Sequence, residues 1–128
     1  MANEIKATVQ VNYQNGFLKD PFAPGSIGIS QTALGCHRPT VIVNTSAYEA
    51  VPFGDISTPG ICFGRNLDSS NYVTVGMSTS AASTAVNPFA TIEAKEPFFL
   101  RLHSGVKTKL KWKANSAAVK MDLHVLED

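Results

Sequence analysis

Histidine, cysteine and paired carboxylates are the side chains with which a small chain most readily does chemistry, and their spacing here does not assemble a site. His37, His103 and His124 have no histidine partner at i, i+2 or i, i+4, the spacings that bring two imidazoles to one face of a strand or helix. Cys36 directly precedes His37, and neighbouring residues tend to point apart, so the two are badly placed to share an ion or to work as a dyad. No Gly-x-Ser-x-Gly elbow occurs, and Glu93 and Glu96 flank a turn where they read as solvated edge charges instead of a glycosidase pair. The chain is therefore expected to be no enzyme and to hold neither metal nor cofactor. Lys109, Lys111 and Lys113 form a basic stripe opposite Leu110 and Trp112, but no aromatic ladder interleaves it to stack bases. That stripe reads as a solvated face or one turned to an acidic partner. A single Trp, itself in a core pattern, is a poor start for an aromatic sugar platform.

The stretch TPGICFGRNLDSSNYVTVG, Thr58 to Gly76, concentrates the remaining polar groups. Two apolar runs flank Arg65, Asn66, Asp68 and Asn71, and side chains of these types bond nearby backbone and tolerate turn dihedrals, so the segment reads as the turn of a hairpin. Arg65 alternates with Ile61 and Phe63, which predicts an inward position within reach of Asp68.

The elements that would position these residues are strands nearly throughout. From Glu4 to Gln14, Ile5, Ala7, Val9, Val11 and Tyr13 alternate with polar residues, and Val119, Met121, Leu123 and Val125 do the same near the other end. Further strands are expected at Ser26–Gln31, Thr40–Asn44, Tyr48–Phe53, Gly60–Asn66, Tyr72–Met77, Phe89–Ala94, Pro97–His103 and Lys107–Ala114. Turn residues fill the junctions, including Asn15-Gly16 and the DPFAPG segment from Asp20. About ten short strands without a competing helix predict an all-β, antiparallel β-sandwich, jelly-roll-like, as one domain over residues 1–128. Its expected core is Ile5, Val9, Val11, Ile27, Val41, Phe63, Val73, Val75, Leu100, Leu102, Leu110, Trp112, Met121, Leu123 and Val125.

With 128 residues the chain has the length of one core. Eleven Lys and Arg against ten Asp and Glu leave a formal charge of +1, too little field to hold nucleic acid or an anionic membrane. Charged residues are 16% of the chain against about 25% ordinarily, a composition suited to lying against another protein. The start MANEIKATVQ has no secretion-signal pattern, and no apolar run approaches the roughly 18 residues that span a bilayer, so a soluble protein made in a cytoplasm is expected.

The order of motifs carries a resemblance. STPG at Ser57–Gly60, RNLD with NYV and VG between Arg65 and Gly76, RL and GV between Arg101 and Val106, and AAVK with VLED from Ala117 to Asp128 resemble a group of small virion structural proteins of tailed bacteriophages. The resemblance covers most of the chain and brings no catalytic motif. It implies a decoration or cement protein on the outside of the head shell, whose partner is the phage major capsid protein. It also implies localisation in the virion after synthesis in the bacterial cytoplasm, and a homo-oligomer, with a trimer on local threefold axes preferred. A particle-exposed host- or glycan-binding module, or a tail or neck component, is the alternative. Partner contacts are expected at the N-terminal strand, Ala2, Asn3 and Glu4, and at the uncharged Ser78–Asn87 loop with Ala82, Val86 and the following Phe89. Arg38 and Arg65 are the charged residues suited to an interface.

Overall fold

The computed structural model describes residues 4–128, which form thirteen strands in two compact units, one ending at Thr32 and one running from Ala33 to Asp128. The chain is all-β and antiparallel.

The first unit holds β1 (Ile5–Thr8), β2 (Val11–Asn15), β3 (Leu18–Phe22) and β4 (Ser26–Ile29). β1 pairs with β4, Ile5 opposite Ile29, and β2 pairs with β3, Val11 opposite Phe22 and Asn15 opposite Leu18. A two-residue turn, Gly16-Phe17, closes the second pair, and Gly16 takes the positive φ of 59° that the first position of such a turn can require. The long strand expected from Glu4 to Gln14 is thus two strands, because its halves have different partners. β3 was hidden by its Asp20-Pro21 pair, which reads as a turn; every strand of a two-stranded ribbon is an edge, where proline is tolerated. Val9, Val11 and Ile27 are exposed and Ile5 is half-buried, so these four do not join a core as their alternation suggested. Ile29, opposite Ile5, is buried, whereas the β2–β3 pair keeps its large apolar side chains exposed.

The second unit is the sandwich. Its strands are β5 (Cys36–His37), β6 (Thr40–Val43), β7 (Glu49–Ala50), β8 (Pro59–Asn66), β9 (Val73–Ser78), β10 (Val86–Ile92), β11 (Pro97–Arg101), β12 (Leu110–Ala114) and β13 (Val119–Glu127). One sheet runs β10-β9-β12-β7; the other runs β11-β8-β13, with β5 and β6 both along the far side of β13. Apart from the β9–β10 hairpin, every connection from β6 onward passes from one sheet to the other.

The inward residues of both sheets meet in one core. Val73, Val75, Ile92, Leu110, Trp112 and Ala114 come from the first sheet, and Val43, Cys62, Val119, Met121, Leu123 and Val125 from the second, all buried. Val51, Phe53 and Ile56, from the segment between β7 and β8, close one end. Trp112 lies in this core as its alternation predicts. Phe63 does not, since it stands on the outer face opposite His124 and Phe99, and Leu100, Leu102 and Val41 are half-buried at the margins.

Candidate interaction site

The polar segment after β8 is a clamp between sheets. β8 and β9 lie in different sheets, so residues 67–72 cross the sandwich and do not turn a hairpin. Asn66 is fully buried: its Nδ2 donates to the carbonyls of Asn71 at 2.8 Å and Ile92 at 3.2 Å, and its Oδ1 accepts from the Asp68 N–H at 2.9 Å. Asp68 Oδ1 in turn accepts from the N–H groups of Ser70 at 2.8 Å and Asn71 at 2.7 Å, and these bonds hold its carboxyl below the usual range. Asn66, Asp68 and Asn71 together fix the crossing. Arg65 departs from expectation. It is exposed on the outer face and its Nε donates to Lys95 O at 2.8 Å, because the alternation of β8 turns it away from Asp68.

A second clamp sits at the end of β13. Glu127 Oε1 accepts from the Ser57 hydroxyl at 2.6 Å and from the N–H groups of Ser57 and Thr58 at 2.9 and 3.4 Å. The Ser57 hydroxyl bond first, then its N–H, lower the carboxyl pKa.

The residues able to do chemistry are dispersed. His103 Nδ1 lies 2.6 Å from Ser104 O, while His124 stacks on Phe63 and bonds Asp122. Cys62 is buried, which pushes its thiol up to about 12, whereas Cys36 is exposed and accepts from Arg38 Nε at 3.0 Å. Among the described residues, no three His, Cys, Asp or Glu side chains gather in a way that could hold a metal ion.

The basic stripe is not uniformly solvated. Lys111 is buried, and its Nζ donates to Ala81 O at 3.2 Å and Ser83 O at 2.5 Å. Its long side chain lies along the sheet and pins the loop between β9 and β10 by the backbone. That loop spans only residues 79–85, since Ser78 belongs to β9, and Val86 and Asn87 to β10. It carries no charge of its own, yet a buried ammonium holds its shape, so desolvating it is not free of electrostatic cost.

The candidate contact residues do not form one patch. Ala2 and Asn3 lie outside the described residues; Glu4 is exposed and accepts from the Gln31 N–H at 3.2 Å. Ala82 is exposed, Val86 half-buried and Phe89 exposed, along β10 and the loop before it. Arg65 belongs to β8 of the other sheet, and Arg38 lies in the connection between β5 and β6, on the opposite side of β13.

The surface with the clearest chemistry is the β2–β3 ribbon. Register puts Val11, Tyr13, Leu18 and Phe22 on one face together with Asn15 and Asp20, and Asn12, Gln14, Lys19 and Pro21 on the other. The four apolar side chains are 51, 46, 61 and 57% exposed, and Phe17 projects fully from the turn. The signal was present in the sequence, as apolar alternation before Asn15-Gly16 and the apolar Phe17, Leu18 and Phe22 after it, but the Glu4–Gln14 alternation suggests a single long strand. No family, no curated protein and no solved structure matches this chain.

Proposed function

We infer that this protein is a structural component of a tailed-phage virion, a cement protein on the outside of the head shell that grips the major capsid protein. The observation that supports the reading is the amphipathic β2–β3 ribbon, with its apolar face uncovered in the chain by itself. An isolated two-stranded ribbon is marginal in water, so an apolar face of this kind gains most by lying on a partner. Each capsid subunit so gripped adds the binding free energy to what is needed to open the shell. The clamped sandwich supplies a stiff body, and the low charge keeps the cost of desolvation small. No catalysis, cofactor or nucleic acid enters this role.

The test is retention on particles. Replacing residues 11–22 with a short Gly-Ser link, or making Val11→Ser with Phe22→Ser, is expected to release the protein from phage heads while the sandwich stays folded. Full retention of both variants would overturn the reading. A particle reconstruction with the density on tail or neck would move the role there.

A further inference from the structure

Among the described residues β11 is the last strand of its sheet, paired on one side only. Its backbone bonds to β8 come from even-numbered residues: Glu96 O accepts from the Asn66 N–H at 3.0 Å, and the Leu102 N–H donates to Gly60 O at 2.8 Å. The register between them, Phe98 opposite Gly64 and Leu100 opposite Cys62, continues that alternation. The N–H and C=O groups of Phe99 and Arg101, with the C=O of Pro97, therefore point along the open edge. The other edges of the sandwich are blunted. β10 carries Pro88 and a register shift beside it, β5 and β7 have two residues each, and β6 has four.

The outer face of β11 carries a row of rings that stops at this edge. Phe99, Phe63 and His124 stand side by side across β11, β8 and β13, with centroids 6.4 and 5.0 Å apart and planes inclined by 26° and 9°. Their faces are turned to one another, and Phe99, at the end of the row, is 40% exposed.

We propose that a second copy of this chain pairs antiparallel along β11, about a twofold axis at Phe99. This register uses every open group except the Arg101 C=O. The two Phe99 residues exchange both backbone bonds, each Arg101 N–H meets the other copy's Pro97 C=O, and the N–H that Pro97 lacks is the one gap per side. The rings continue without a break from His124 of one copy to His124 of the other. Like charges do not meet, because Arg101 stands opposite Pro97, with Glu96 one residue beyond. A shift of two residues leaves part of the edge unpaired and separates the rings. An isologous contact closes at two copies, unlike the threefold arrangement expected from the resemblance. The inference is independent of the virion reading, since it concerns the free chain.

Disulfide trapping and mass together test it. In a Cys36→Ser background, Phe99→Cys puts the new thiol opposite its own copy at the roughly 5.5 Å Cα separation of a hydrogen-bonded pair, within disulfide range. Mild oxidation is expected to give a covalent dimer, whereas Arg101→Cys, offset along the strand from its own copy, is expected to stay monomeric. Sedimentation equilibrium is expected to give twice the chain mass for the natural sequence and one chain mass for Phe99→Lys, which sets two ammonium groups face to face. A natural chain that stays monomeric at millimolar concentration would overturn the proposal. So would a dimer that survives in folded Phe99→Lys, or equal crosslinking at 99 and 101. Should Phe99→Lys not fold, the two cysteine variants decide.

Discussion

β2 and β13 share the same alternation and have opposite surroundings. In β13 the inward residues Met121, Leu123 and Val125 are fully buried beneath a second sheet, while Val11 and Tyr13 of β2 remain about half exposed. The pattern is equally clean in both. Alternation states which face of a strand is apolar, but burial needs a second layer, and the ribbon's side chains stay about half exposed. The sandwich therefore spends its apolar surface on its own stability, and the ribbon keeps its own for something else.

Four measurements would break or sharpen this contrast. Trp112→Ala, with the ring buried between the sheets, is expected to lower the unfolding free energy by about 3–5 kcal/mol in urea denaturation. A loss under about 1 kcal/mol would mean that the sandwich core is loosely packed. Asn66→Ala strips partners from the Asn71 and Ile92 carbonyls and the Asp68 N–H, and is expected to cost about 1–3 kcal/mol.

Acid titration probes both clamps. Glu127 and Asp68 have folded pKa values below their ordinary 4.5 and 3.8, so their contribution is complete above those values and is lost as pH falls through the lower folded ones. The urea midpoint is expected to decline below about pH 4.5, and less steeply in Glu127→Gln. A midpoint that does not change down to pH 3 would dismiss the clamps as contributors. The smallest effect belongs to the ribbon. Phe22→Ser is expected to change the stability of the free chain by less than about 0.5 kcal/mol, and a loss as large as that of a core residue would show that its face is covered after all.

The legibility of the fold follows the same division. β13, β9 and β12 could be read because local alternation and eventual burial agree in them, and the all-β class followed from such segments together with the turn residues between them. The crossing at 67–72 was misread because neither neighbour of β8 is the strand that follows it: β11 and β13 lie far along the chain, and no local pattern names them. β5 is too short, at two residues, to show any period. Lys111 was invisible for another reason. Hydropathy assigns an ammonium to solvent, and the carbonyls that receive it come from a loop nearly thirty residues earlier in the sequence. The ribbon was half legible: its apolar residues were found, but their destination was assumed.

The shuttling of the chain between sheets also governs how quickly the sandwich can form. Within the sandwich only the β9–β10 hairpin pairs neighbours in sequence, so almost every other ladder there must close a long loop before it gains any bond. Topologies dominated by such distant pairings fold in milliseconds to seconds, with a late barrier and few stable fragments. During that interval β11 and the ribbon both present unpaired backbone or bare apolar surface. Refolding yield should therefore fall as concentration rises, a kinetic liability that comes with the same strands that suit the finished protein to assembly.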